Sequence, residues 1–151
     1  MAATREARAV WNGDLISGSG IVAGISSGRL NDLPVSWSAR TEAPGGKTSP
    51  EELLAAAHAS CFAMALSAGL AKAGTPPKRL EVSAKVTFDK VGDSWTVVSS
   101  ALDVRGEIPG AAPEKFEAAA EDAKENCPIS RALKGNVKLS VNAALRNAAL
   151  R

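Results

Sequence analysis

The sequence predicts an α+β fold organised around one long helix, on three observations. An uncharged apolar run between Glu52 and Lys72 has a marked start and stop, short strand-like segments precede it, and a long alternating hairpin follows it. The start is Ser49-Pro50-Glu51-Glu52. Ser49 can cap the first turn, Pro50 suits the first helical position, and Glu52 stands in capping-box spacing from Ser49. Gly74 followed by Pro76-Pro77 supplies the stop. About 25 residues at about 1.5 Å rise span roughly 37 Å, enough to cross a small domain.

A helix apolar all the way round needs cover on every side, and this one also approaches the length of a membrane span. Its Ala-rich composition, the polar His58, Ser60 and Ser67, the lack of a Trp or Tyr belt and the amphipathic strands on both flanks favour a soluble helix. One sheet covers only one side. A second copy of the same helix, approached closely over the alanines, is the expected cover for the other, which predicts a homodimer.

The remaining elements follow in order. Arg8 to Gly13 and Gly20 to Ser26 read as two short strands of a meander, separated by turn residues around Asp14 and Gly18. Leu33 to Arg40 alternates as a third strand, on an edge because of Pro34, with Arg40 at its end and placed to reach toward the long helix. Leu80 to Phe88 and Ser94 to Glu107 form the hairpin. Pro113 opens a helix to Glu125. Pro128 disfavours helical geometry at Cys127, so the cysteine sits at a break before a short helix that Gly135 stops. Val137 to Val141 is a last strand, and the tail from Ala143 to Arg151 reads as a helical or frayed extension. One domain over 1–151 is expected, with its core at about 9–141 and an extension over 142–151.

Composition narrows the function. Net charge is +2, with 18 basic and 16 acidic residues mixed along the chain, so nucleic-acid binding has no support. No apolar leader is visible at the N-terminus, and a cytoplasmic, reducing location is expected. Cys61 and Cys127 lie 66 positions apart, which offers neither CxxC spacing nor a zinc cluster, and a single His argues against a His-based metal centre. No cofactor is expected.

Few side chains can carry chemistry. Cys61 in an Ala-rich helix could be a small core filler. Cys127, at a helix start, sees unpaired N–H groups that favour a thiolate, and on local chemistry it is the reactive thiol. Glu52 is explained as the partner of Ser49, whereas Glu51 is free to orient an arginine. His58 shares a helical face with Cys61, which raises a Cys-His hydrolase, although a polar group packed at the dimer seam is the reading preferred for it.

Taken together, Ser38-Ala39-Arg40-Thr41-Glu42, Gly46 to Leu53, Ala56 to Ser67 and Asn126-Cys127-Pro128-Ile129-Ser130 closely resemble the OsmC/Ohr family of thiol-dependent peroxidases. His58 and the arginine just before the Gly-rich loop resemble the OsmC branch, with Arg29 as the fallback arginine. The resemblance implies an intertwined α+β homodimer with bent antiparallel sheets around two long central helices. It implies Cys61 as the peroxidatic cysteine, Cys127 as the resolving one, Arg40 as the activating cation and Glu51 as its orienting carboxylate, which reverses the local choice of thiol. It further implies an organic hydroperoxide substrate approaching past Leu53, Phe62 and Leu133, a Cys61–Cys127 disulfide, and a dithiol reductant such as a lipoyl protein. A cysteine hydrolase using Cys61 and His58, or a redox-responsive binding module without turnover, are the alternatives.

Overall fold

The computed structural model describes residues 1–146. The chain separates into two compact units, Met1–Leu53 and a second that begins at Leu54.

In the first unit, β1 (Ala7–Asn12), β2 (Ser19–Gly24) and β3 (Leu33–Val35) form the expected antiparallel meander in the order β1-β2-β3, with Pro34 on an edge strand. Ala9 pairs Val22 and Trp11 pairs Gly20, so the same face carries both pairs. Asp14 holds the β1–β2 turn, accepting from the Ile16 and Ser17 N–H groups at 2.9 and 2.8 Å. The third strand is shorter than its alternation predicts. Ser36 accepts from the Ala39 N–H at 3.2 Å and caps a one-turn helix, α1 (Trp37–Thr41), so local capping overrides the period-two pattern and Arg40 is helical. Thr48 N–H donates to the Pro34 carbonyl at 3.0 Å, which fixes the loop that enters the long helix.

The long helix, α2 (Pro50–Lys72), begins in the first unit and continues through the second. Ser49 accepts from the Glu52 N–H at 3.1 Å, as its spacing predicts, while the Glu52 carboxylate takes the Thr48 hydroxyl at 2.9 Å. At the other end the Thr75 N–H reaches the Leu70 carbonyl and the Gly74 N–H the Ala71 carbonyl, both at 3.0 Å, with Gly74 at φ +88. That pair of bonds needs a left-handed residue, which is the physical content of the Gly stop signal. By length and apolarity α2 could cross a membrane. Here its His58, Phe62, Leu66 and Leu70 are buried, four residues apart on one face, and Ala56, Ser60, Met64 and Ala68 are exposed on the other.

The second unit places β4 (Arg79–Val91) antiparallel to β5 (Ser94–Glu107), with a register shift at Thr87/Phe88 and Phe88 stacked on Trp95 at 5.0 Å. Beside β5 lies β6 (Lys138–Leu145), and this pair is parallel, a correction to the expected antiparallel sheets. The reason is the crossover formed by α3 (Pro113–Asn126) and α4 (Pro128–Leu133), which carries the chain back to the end of β5 from which it can only run in the same direction. The expected helical or frayed tail is also corrected, since 143–145 continue β6, and 147–151 lie outside the described residues. Phe62, Leu66 and Leu70 of α2 pack with Leu102 and Val104 of β5, Ile108, and Phe116, Ala120, Ala123 and Cys127. Gly106 is required there, because a Cβ would stand 2.6 Å from the Phe116 ring.

Candidate active site

Each unit holds one cluster of candidate side chains. In the second unit, Cys61 is supplied by the middle of α2 and Cys127 by the break between α3 and α4. Cys127 is simultaneously the residue after one helix and before the next, with its N–H on the Ala123 carbonyl at 2.8 Å and its own carbonyl accepting from Arg131 at 2.9 Å. Pro128 removes one helical N–H and forces the break, as its position predicts. Both cysteines are free thiols, Cys61 half-buried and Cys127 fully buried.

The two thiols lie close enough to influence each other and titrate as a pair. Burial pushes the Cys61 thiol up, and Cys127 adds to this. Burial acts on Cys127 in the same sense, but Cys61 and the Ser130 and Ile129 groups outweigh it and leave Cys127 below its ordinary value. No full capping bond reaches the Cys127 sulfur, so the two amides act on it by proximity and charge rather than by an aligned hydrogen bond. Of the two, Cys127 is the thiol whose titration is lowered, the one that local reading of the sequence favours.

His58 is not at a subunit seam, as expected from sequence; it is enclosed within its own chain. Its Nδ1 lies 2.7 Å from Ser100 Oγ and its Nε2 lies 2.8 Å from Ser130 Oγ. Burial holds it below the usual histidine range, so it is neutral near pH 7. Both ring nitrogens are engaged by serines, which removes the geometry that a Cys61-His58 hydrolase requires. Phe62 is corrected too, being fully buried in the core rather than lining an approach for substrate.

In the first unit, Arg40 of α1 grips Glu51 in the first turn of α2. Nε stands 3.0 and 3.1 Å from the two carboxylate oxygens and Nη2 stands 2.8 Å from Oε1. Glu51 is buried and Arg40 partly so, with the guanidinium 6.0 Å from the Trp37 ring. A forked arginine–carboxylate pair fixes the orientation of both groups. Arg29, the fallback, is exposed in the β2–β3 connection. Beside the pair is a cavity of about 470 Å³ walled by Ala9, Trp11, Leu15, Val22, Val35, Trp37, Pro50 and Leu53, in which Arg40 is the charged group among the described lining residues. Among the described residues no group of three His, Cys, Asp or Glu is placed to hold a metal.

Sequence reading missed Ser100 and Ser130. A signal for Ser100 existed, because it shares the inward row of β5 with Leu102 and Val104 and a hydroxyl in an apolar row needs a polar partner.

Comparison with known proteins agrees with this layout. A protein-family model described as "OsmC-like protein" matches residues 43–142. Peroxiredoxin OsmC of Escherichia coli (strain K12) is 38% identical over 135 residues, which cover 89% of this chain and 93% of that one. Organic hydroperoxide resistance protein OhrA of Bacillus subtilis (strain 168) is 32% identical over 123 residues, 80% of this chain and 85% of that one. In fold, the crystal structure of organic hydroperoxide resistance protein OhrB of Bacillus subtilis matches with a TM-score of 0.71 at 24% identity, covering 92% of this chain and 98% of that one. Matched by the family model over more than half its length and by a curated OsmC relative along most of it, the chain belongs to the OsmC-like family, on its OsmC branch.

Proposed function

We propose that this protein is a thiol-dependent peroxidase that reduces organic hydroperoxides to alcohols. The observation that carries the reading is a pair of free thiols, one half-buried and one fully buried, drawn from segments distant in sequence and close enough to titrate together. The printed names of the relatives, a peroxiredoxin and an organic hydroperoxide resistance protein, support the same chemistry.

Cys61 is the attacking thiol because a peroxide must reach sulfur, and Cys127 is wholly enclosed. Cys61 passes its proton to Cys127 within the pair, and the resulting thiolate attacks the terminal peroxide oxygen. The S–O bond forms, the O–O bond breaks, and the alkoxide leaves as alcohol after taking up a proton, with sulfur left as a sulfenic acid. Cys127 then attacks that sulfur, the S–O bond breaks, and the departing hydroxyl leaves with the Cys127 proton as water. An external dithiol, in the manner of a lipoyl group, reduces the Cys61–Cys127 disulfide and is itself oxidised.

Arg40 is the proposed activating cation, favouring the thiolate and the charge that develops on the leaving oxygen, and Glu51 acts through it as a positioning carboxylate. The apolar wall beside Arg40 suits the organic part of a hydroperoxide better than hydrogen peroxide. The working form is a cytoplasmic homodimer of single-domain subunits, in which a second copy covers the exposed face of α2. The test uses Cys127→Ser given one equivalent of organic hydroperoxide. It should consume about one peroxide per subunit, yield dimedone-labelled Cys61 and fail to cycle with dithiol. No label on Cys61, or full turnover without Cys127, would remove the proposal.

A further inference from the structure

The peroxide cycle above leaves a fully buried histidine unused. His58 stands between two fully buried hydroxyls, Ser100 on β5 and Ser130 on α4, at 2.7 and 2.8 Å. Ser130 lies in the first turn of α4, three residues after Cys127, and its hydroxyl is among the groups that lower the Cys127 titration. Two hydrogen bonds thus join Ser100 to His58 and His58 to Ser130, and Ser130 in turn acts on Cys127.

A serine hydroxyl has one proton to give, and a neutral imidazole has one donor and one acceptor nitrogen. If Ser130 spends its proton on His58, none is left for sulfur. In the opposite arrangement Ser100 donates to Nδ1, Nε2–H donates to Ser130, and the Ser130 hydroxyl is directed at Cys127. A thiolate is the strongest acceptor among these groups, so the second arrangement has the lower energy whenever Cys127 is ionised. The neutrality that burial imposes on His58, and the contribution of the Ser130 hydroxyl to the depressed titration of Cys127, agree with it.

We propose that His58 is a positioning residue for Cys127: anchored by Ser100, it fills the acceptor site of Ser130 and thereby turns the Ser130 hydroxyl onto the resolving sulfur. The inference rests on the reading of Cys127 as the resolving thiol. In that step the oriented hydroxyl stabilises negative charge on Cys127 as it attacks the sulfenic acid, the S–S bond forms, and the displaced hydroxide is released as water after taking up a proton. Among the described residues, the titratable groups facing Cys127 are Cys61 directly and His58 through Ser130, both from α2. Of the charges on the neighbouring elements, Asp103 and Arg105 of β5 pair with each other, Arg131 of α4 is exposed, and on α3 Lys124 and Glu125 are engaged with Glu121 and Lys134.

The test needs no peroxide. In a Cys61→Ser background, the thiolate absorbance of Cys127 is titrated against pH. His58→Leu and Ser130→Ala should each raise the midpoint by about one unit, the size of one hydrogen bond to a charged group. His58→Gln, which keeps an N–H near the position of Nε2, should restore most of the shift, and the double variant should move no further than either single one. Should His58→Leu fail to fold, His58→Asn, too short to place an N–H at the Nε2 position, takes its place. A midpoint unmoved by Ser130→Ala, or a Gln variant no better than Leu, overturns the inference. Because neither peroxide nor Cys61 is present, that failure is separate from any failure of the peroxidase reading, which would show instead as unlabelled Cys61 in the dimedone experiment.

Discussion

At the thiol pair burial pushes Cys61 up, while Cys61 and the serine and amide groups around Cys127 hold Cys127 below its ordinary value. In the proposed cycle a cation favours Cys61 as the attacker, and that role is the one proposed for Arg40. Replacing Arg40 by Met should lower kcat/KM by about a hundredfold or more, and Arg40→Lys, which keeps charge but loses the fork, should fall between. Single-turnover peroxide consumption measures it, and a Met variant as fast as the parent removes Arg40 from the chemistry. His58 makes a second prediction at this scale. Its titration lies below 6.5 in the fold, so below that pH the unfolded chain binds the extra proton and the folded one does not. Stability should therefore fall as pH drops from about 6.5 through the depressed folded value, and His58→Gln should flatten that slope in denaturant titrations at pH 7 and pH 5. That Arg40 meets Glu51 and that the two cysteines come together was legible because their flanking residues form a recognisable pattern. The serines were not, because a hydroxyl in a strand or a first helical turn has many ordinary uses and only the fold shows that both point at one imidazole.

Among the elements, α2 was readable from end to end because its caps and its apolar run agree, and the structure adds only the bonds themselves. Gly74→Ala puts a side chain at φ +88 and should cost about 1 kcal/mol, read as a lowered midpoint in urea. Gly106→Ala is predicted to be worse, by about 1–3 kcal/mol, since a backbone held in the β4-β5-β6 sheet must move away from the buried Phe116 ring. A Phe116→Leu partner change should recover part of that loss, and no recovery would contradict the clash. The third strand was misread because alternation from Leu33 to Arg40 carries no mark of where pairing ends, and a single serine cap converted its second half to helix. The direction of β6 was equally hidden. Strand polarity depends on where a crossover returns the chain, which no local pattern records.

Across the whole molecule, the described surface exposes more large apolar side chains than a lone small protein needs. Val10, Trp11, Leu15, Ile16, Ile21 and Ile25 are each at least 40% exposed in the first unit, and Met64 is 69% exposed on α2. A second copy is the proposed cover, and light scattering should give twice 15.5 kDa at micromolar concentration. Met64→Asp should shift that mass toward the monomer; an unchanged monomer from the start would remove the dimer. The central claim concerns the two sulfurs, and peptide mapping tests it most directly after the reduced protein receives one equivalent of organic hydroperoxide. The account predicts a Cys61–Cys127 disulfide within one subunit, formed as the peroxide disappears and reopened by added dithiol. Peroxide loss with both thiols still free, or with cysteines linked only between subunits, would contradict it.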